Sequence, residues 1–226
     1  GTLANVHYPL AVACLALLAS VAVAVFRPGE DAPPSIENGG VVMFVGGLIL
    51  TFIYPEAVLP IVIAFLFATI AAWRQHRDTP RVKLLWLIWF VVPALPMTAY
   101  YVAVLLYNDI AGDVWAQALA ISAPGPLPML AGFGLMLVIA MPGLTRAVRR
   151  FEPDGDQFML LWLVVIIVLT YLPGIHTAAL LGIMIPLAYF ATRATEDFWF
   201  DYVQRRQRIR VMAALLPILD MSNIFI

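Results

Sequence analysis

Long apolar runs separated by short polar stretches restrict most strongly what this chain can fold into. A membrane-spanning helix needs about 20 predominantly apolar residues. The runs approach that length at residues 8–26, 39–54, 57–73, 84–107, 127–144, 157–171, 177–192 and 211–226. The chain is 63% hydrophobic and 12% charged, whereas a soluble domain is about half apolar and about one quarter charged. We therefore predict an all-α fold, a polytopic transmembrane helix bundle with about eight spans.

The basic residues are confined to every second connection between these runs. All 13 Lys and Arg residues lie in the stretches 27–38, 74–83, 145–156 and 193–210, and the connections at 54–56, 108–126 and 172–176 contain none. Basic loops of membrane proteins stay in the cytoplasm. We therefore expect an integral protein of a prokaryotic cytoplasmic membrane, with its N-terminus outside and its basic loops cytoplasmic.

Three of the runs carry further signals. Gly39 and Gly40 recur seven residues later as Gly46 and Gly47, which predicts close approach of a neighbouring helix. The long run 84–107 contains two prolines and should bend. The stretch 196–210 mixes aromatic residues with arginines, which is typical of an interfacial amphipathic helix. Its cations predict binding to anionic lipid headgroups, and they are Arg205, Arg206, Arg208 and Arg210.

The two ends and the remaining composition set the outer limits of the interpretation. The chain begins without Met and ends inside an apolar run, so we expect residues 1–226 to form a single transmembrane domain of a longer protein. Cys14 is the only cysteine, and the three histidines are widely spaced. The sequence therefore predicts no intrachain disulfide, no metal site and no cofactor. The net charge of −1 gives no indication of nucleic-acid binding.

The connection within residues 107–134 is the longest break that carries no Lys or Arg. It contains Asp109, Asp113 and Trp115, and a stiff Pro-rich turn at 124–128 should fold it back over the bundle. The alternation of charge places Glu56 and His176 on the same side of the membrane. We therefore predict that the following residues converge into a substrate-binding site on the outer face: Glu56, Asp109, Asp113, Trp115 and His176.

Each of these residues also has an ordinary structural role open to it. Asp113 could be the N-cap of a helix, Asp109 could close a turn, and Glu56 could complement the dipole of a first helical turn. Trp115 could belong to the aromatic belt at the interface. His176 could donate a hydrogen bond to a free carbonyl at a helix end. These alternatives stay open at the level of the sequence.

The order of several short motifs resembles the later membrane half of the GT-C-fold glycosyltransferases, polytopic enzymes that transfer sugars from lipid-linked phosphate donors. The resemblance covers about half of the chain. The motifs that carry it are Tyr54-Pro55-Glu56, Trp115 with Gln117, Ser122-Ala123-Pro124-Gly125-Pro126, Gly132-Phe133-Gly134, Tyr171-Leu172-Pro173 and the run 182–188. It implies a glycosyltransferase-like protein that handles a lipid-phosphate-linked sugar at the extracytoplasmic face.

Two departures limit what the resemblance implies. The catalytic acid of that superfamily lies in a first large outer loop, which this chain does not contain, so no residue here is assigned the catalytic role. Relatives carry basic residues after the Tyr-Leu-Pro motif, whereas this chain has Gly174, Ile175, His176 and Thr177. A transporter or channel-like subunit and a non-catalytic membrane scaffold are therefore the alternative functions.

Overall fold

Every regular element that the structure describes is helical. The computed structural model describes residues 7–26, 36–76, 80–119, 125–152, 154–172, 180, 182–200, 207–208 and 210. The helices are α1 His7–Val25, α2 Ile36–Ile53, α3 Val58–His76, α4 Pro80–Tyr107, α5 Asp109–Leu119, α6 Pro126–Arg150, α7 Gly155–Tyr171 and α8 Met184–Ala194. A 3₁₀ turn, Pro55–Ala57, precedes α3, and a π-helical turn, Thr195–Trp199, continues α8. The all-α class is confirmed for these residues.

The length of the helices supports membrane insertion but does not establish eight spans. Within the described part of the chain, three stretches are long and apolar enough to cross a bilayer, namely Pro55–Gln75, Leu84–Tyr107 and Pro126–Arg150. Three shorter apolar helices, Pro9–Val25, Gly39–Ile53 and Gly155–Tyr171, accompany them. In the seventh expected run the described helix is α8, with 11 residues. The eighth expected run, 211–226, lies outside the described residues.

Several connections contain more helix than the sequence predicts, and two of them bear on the site and on unit 2. The stretch 108–126, expected as a loop, contains the 11-residue helix α5. The first half of the charged stretch 145–156 is helical, because α6 continues to Arg150. Two arginines in its last turn favour that extension, since cations stabilise the negative end of the helix dipole. Phe151 then ends the helix in a left-handed conformation, with φ at 40° and its N–H donated to the Ala147 carbonyl at 2.9 Å.

The chain divides into two compact units. Unit 1 comprises Gly1–Ala123 and Glu152–Ile185, and unit 2 comprises Pro124–Phe151 and Pro186–Ile226. Unit 1 contains α1 to α5 and α7, and unit 2 contains α6 and nearly all of α8.

Close backbone contacts of α2 organise unit 1. A Cβ atom added to Gly47 would lie 2.6 Å from the Phe90 carbonyl oxygen of α4, and one added to Gly46 would lie 2.7 Å from the Leu18 side chain of α1. The seven-residue glycine repeat therefore permits close packing, as the sequence predicts, but against two neighbours instead of one. α3 and α7 complete the bundle, where the rings of Phe26, Phe65 and Phe158 pack within 4.9–6.0 Å of one another.

Contacts along unit 1 fix the directions of its helices. Gln157 at the start of α7 donates to Gln75 at the end of α3, so these two helices are antiparallel. Tyr101 near the end of α4 donates to the Phe52 carbonyl near the end of α2, so these two are parallel. Phe26, directly after α1, stacks on Phe158 at the start of α7, so α1 ends where α7 begins. One end of the bundle, the Tyr107 end, therefore contains the start of α1 and α3 and the end of α2, α4 and α7. The opposite, Gly155 end contains their other termini.

In unit 2, α8 and the π-helical turn pack against α6. A Cβ atom added to Gly143 would lie 2.7 Å from the Phe190 carbonyl oxygen, so the two backbones are in direct contact. Further along, Arg146 forms an ion pair with Asp197, and the Trp199 indole N–H donates to the Ile139 carbonyl at 3.4 Å. The first part of the predicted amphipathic stretch is therefore anchored to protein, while Phe198 and Trp199 remain partly exposed.

A break at Gly134 interrupts the regular geometry of α6. Gly134 has φ 44° and ψ −127°, outside the helical region. This combination matches the first central position of a type II′ turn, which only glycine adopts without strain. Gly132-Phe133-Gly134 is recognisable as a motif in the sequence, but the motif does not predict the break.

Candidate functional site

The helix α5 at the Tyr107 end is the part of the predicted site that the structure describes best. Asn108 caps it, because the Asn108 side-chain oxygen accepts a hydrogen bond from the Ala111 N–H at 3.1 Å. Asp109 follows in the first turn, where a carboxylate complements the helix dipole. Asp113 lies one turn further on, so the alternative role of Asp113 as the N-cap of this helix is wrong.

The chain bends sharply between α4 and α5. A Cβ atom added to Gly112 would lie 3.2 Å from the Leu105 carbonyl oxygen, so α5 packs back against the last turn of α4. A larger side chain at position 112 would press on this carbonyl. This contact at Gly112 lies before the Pro-rich turn, and the expected fold-back of that turn over the bundle stays a prediction.

The two faces of α5 differ in chemistry. At 3.6 residues per turn, Asp109, Asp113 and Gln117 fall within about 80° of arc, and all three side chains are exposed. The apolar residues Ile110 and Val114 lie on the side away from Gly112, and they are 78% and 61% exposed. The carboxylates of Asp109 and Asp113 therefore form an acidic face beside an uncovered apolar one.

The structure defines the positions of the other predicted site residues less completely. Glu56 lies half-buried in the 3₁₀ turn that begins the α3 hairpin, at the same end of unit 1 as α5. Trp115 belongs to α5, at a position about 160° around the helix from Asp113, and its side chain is outside what the structure describes. His176 lies outside the described residues. The structure thus brings Asp109 and Asp113 onto one face, and the convergence of all five residues stays a prediction.

The buried threonine hydroxyls of unit 1 are satisfied within their own helices. Thr51, Thr69 and Thr170 are at most 4% exposed. Each donates its hydroxyl to the carbonyl four residues earlier, at 2.6–2.8 Å. The other buried polar residues described in unit 1, Asp156 and Gln157, lie at the start of α7. No polar path through the middle of this bundle appears among the described residues.

The Tyr107 side of unit 1 has a shallow apolar recess. It is too narrow for a water molecule, and its lining residues are Leu15, Ala57, Pro60, Trp162, Ile166 and Gly182. The Trp162 side chain is 1% exposed, and its indole N–H has no acceptor among the described residues. The recess therefore offers neither the volume nor the polar groups that a sugar would need.

A polar cluster at the Gly155 end was missed by the sequence analysis. The Asp154 carboxylate accepts a hydrogen bond from the Gln157 N–H at 3.0 Å and caps α7. Gln157 in turn donates its side-chain amide to Gln75 at 3.5 Å. The signal in the sequence is Asp-Gly-Asp-Gln before an apolar run, since Asp is a preferred N-cap. The cluster joins α7 to α3, and its role is structural.

The described part of the predicted headgroup-binding stretch shows two different arginines. Arg208 donates to the Phe200 carbonyl at 2.9 Å, and its guanidinium lies 5.2 Å from the centre of the Phe200 ring. Arg210 is exposed. Arg205 and Arg206 lie outside the described residues. The guanidinium of Arg208 is therefore partly engaged by its own chain.

Neither a metal centre nor a known relative identifies the site. In the described parts of the chain, no three His, Cys, Asp or Glu side chains are placed to hold a metal ion. No protein-family model matches the chain, and neither a curated protein nor a solved structure matches it.

Proposed function

We propose that the chain is the membrane-embedded part of a glycosyltransferase-like protein that handles a lipid-phosphate-linked sugar at the extracytoplasmic face. The observation that supports it is the acidic face of α5, with Asp109 and Asp113 exposed one turn apart beside the end of an apolar helix. Carboxylates accept hydrogen bonds from sugar hydroxyls. In this proposal Glu56, Trp115 and His176 complete the substrate-binding surface, and the catalytic acid comes from outside residues 1–226.

The proposal includes a specific arrangement in the membrane. All eight apolar runs cross the bilayer of a prokaryotic cell, the N-terminus and α5 face outwards, and the basic stretches face the cytoplasm. The alternating directions of α1 to α4 and α7 support this arrangement, because they put the Glu56 turn and α5 at one end and Arg74 at the other.

The interior of unit 1 favours chemistry at the surface over transport. Transporters bind their substrates at polar sites near the bilayer midplane. In the described residues of unit 1, the buried threonine hydroxyls are bonded within their helices, and the buried Asp156 and Gln157 lie at one end. The buried indole N–H groups of Trp86 and Trp162 are single donors and form no polar site. A second candidate function, a non-catalytic scaffold, is favoured by the backbone contact at Gly47, which is typical of rigid helix association.

Binding of a lipid-linked sugar to the reconstituted protein tests the proposal. The probe is a radiolabelled polyprenyl-phosphate-hexose in nanodiscs, and the test variant is Asp109→Asn with Asp113→Asn. We expect binding to the protein above that to lipid-only nanodiscs, and several-fold weaker binding to the double variant. Glu196→Gln, which removes an exposed carboxylate of unit 2, is the matched control.

Two results would contradict the proposal, and they differ in meaning. Binding no greater than that of empty nanodiscs would leave the scaffold as the function. Equal binding by wild type and the Asp109/Asp113 variant would show that the acidic face of α5 does not contact the sugar.

The arginines after the π-helical turn are proposed to bind anionic headgroups on the cytoplasmic side. Replacing Arg205, Arg206, Arg208 and Arg210 by Gln should weaken the attachment of this stretch to anionic bilayers, by about 1 kcal/mol per charge near the surface. Exposure of the stretch to protease in anionic and zwitterionic nanodiscs measures the effect. Of the two single changes, Arg208→Gln should weaken the attachment less than Arg210→Gln, because Phe200 already engages the Arg208 guanidinium.

A further inference from the structure

The apolar side of α5 is so exposed that contact with water would be unfavourable. Ile110 and Val114 are 78% and 61% exposed, and the neighbouring residues at the end of α4, Leu106 and Tyr107, are 73% and 88% exposed. Contiguous apolar surface of this kind marks contact with a partner or a lipid. The question is which of the two covers α5.

The position of α5 relative to the end of α4 distinguishes lipid from a protein partner. The apolar stretch Leu84–Tyr107 has 24 residues, which corresponds to about 36 Å of helix and exceeds the hydrocarbon thickness of about 30 Å. Tyr107 therefore lies at the boundary between hydrocarbon and headgroups when α4 spans. Because Gly112 packs against the Leu105 carbonyl, α5 stays at the depth of that last turn and does not extend into water.

The polarity around α5 matches such a boundary. Asp109, Asp113 and Gln117 fall within about 80° of arc, the apolar Ile110, Val114 and Ala111 occupy the adjoining arc of about 100°, and Gly112 faces α4 on the side away from Ile110 and Val114. A helix that lies in the interface has this division between a charged face and an apolar face. The carboxylates meet the headgroup layer, where the ammonium groups of zwitterionic lipids can neutralise them.

We infer that α5 is an interfacial helix that inserts Ile110 and Val114 into the leaflet at the Tyr107 end of unit 1. The lipid surface itself is its partner, and Asp109 and Asp113 are held at headgroup depth as a result. This inference requires α4 to span the bilayer. It does not depend on the lipid-linked sugar, so either of the two proposals can fail its test without the other one failing.

Fluorescence quenching in nanodiscs tests the depth of the two faces. Single cysteines replace Ile110 or Asp113 in a Cys14→Ser background, and each carries the environment-sensitive label NBD. The nanodiscs contain phosphatidylcholine, with either a lipid bearing a shallow doxyl group or iodide in solution as the quencher. We expect the label at position 110 to emit at shorter wavelength and to be quenched mainly by the doxyl lipid. The label at position 113, which is the matched control, should be quenched mainly by iodide.

Each other result would overturn the inference. Equal quenching of both labels by iodide would place α5 in water. Protection of the label at position 110 from both quenchers would show that protein, such as a second copy of the chain, covers the apolar side. A Val114→Cys label repeats the measurement one turn along, and it should behave as the label at position 110 does.

Discussion

Two glycines of α2 differ in the atom that a side chain would meet. Gly47 faces the backbone carbonyl of Phe90 at 2.6 Å from an added Cβ, whereas Gly40 faces the ring of Trp89 at 3.6 Å, an ordinary contact. A backbone carbonyl in a packed helix cannot move without moving the helix. The glycine repeat was readable from the sequence, but only the structure separates the position that requires glycine from the one that tolerates alanine.

Alanine at these two positions should therefore have opposite effects. We expect Gly47→Ala to destabilise the protein by about 1–3 kcal/mol, the usual cost of overpacking. Gly40→Ala should be neutral or stabilising, because alanine is favoured over glycine in a helix by about 0.5–1 kcal/mol. Reversible unfolding in mixed detergent micelles measures both variants, and equal changes would contradict the close approach of α2 and α4.

At Gly134 glycine is required by the backbone conformation and not by a lack of room for a side chain. No heavy atom lies within 4 Å of an added Cβ, but φ is 44°. We expect Gly134→Ala to cost about 1–3 kcal/mol of strain, or to straighten α6 into a regular helix. Spin labels at exposed Leu130 and Val138 report the second outcome as a changed distance distribution. Gly132→Ala is the control, since its φ is not positive, and it should leave that distribution unchanged.

Among the elements, periodicity and length predicted the existence of the long apolar helices but not how they end. α4 continues through Pro93 and Pro96, and α6 continues through Pro142 to Arg150. The charged residues that follow the apolar part of α6 were predicted to form a loop, although arginines in a last turn stabilise a helix. The sequence did not predict α5, because its N-cap residue, Asn108, lies directly after an apolar run, where the start of a new helix is not apparent.

The packing of the π-helical turn on α6 gives a prediction for a pair of residues. Arg146 and Asp197 are partly exposed, with side chains 21% and 35% accessible, so their ion pair should contribute only about 0.2–1 kcal/mol. A double-mutant cycle with Arg146→Gln and Asp197→Asn measures that coupling in the unfolding free energy. Arg149→Gln with Asp197→Asn is the control cycle. A coupling energy of zero in the first cycle would mean that Trp199 and the contact at Gly143 hold these elements together.

For the whole molecule, the alternating helix directions of unit 1 predict the sidedness of two exposed residues. Asp113 lies on α5 and Glu152 lies before α7, so they belong to opposite ends of the bundle. In a Cys14→Ser background, a cysteine at Asp113 should react with an impermeant maleimide from outside intact cells. A cysteine at Glu152 should react only after permeabilisation. Labelling of both from the same side would rule out the proposed orientation.

The membrane character of the chain was the part that the sequence could predict, because composition alone requires lipid as the solvent. The candidate site was predicted only in part. Asp109 and Asp113 share a face because α5 is a helix, which the sequence analysis did not anticipate. The approach of Glu56, Trp115 and His176 depends on side-chain and loop positions that no periodicity specifies.

The threonines buried in unit 1 have a consequence for biosynthesis. Thr51, Thr69 and Thr170 find their acceptors one turn back on their own helices, so these hydroxyls need no neighbouring helix for a partner. A segment whose polar groups are already satisfied can leave the translocon for lipid as soon as it is made. These three hydroxyls therefore do not require their helices to associate before each helix enters lipid, and the glycine contacts of α2 can form afterwards.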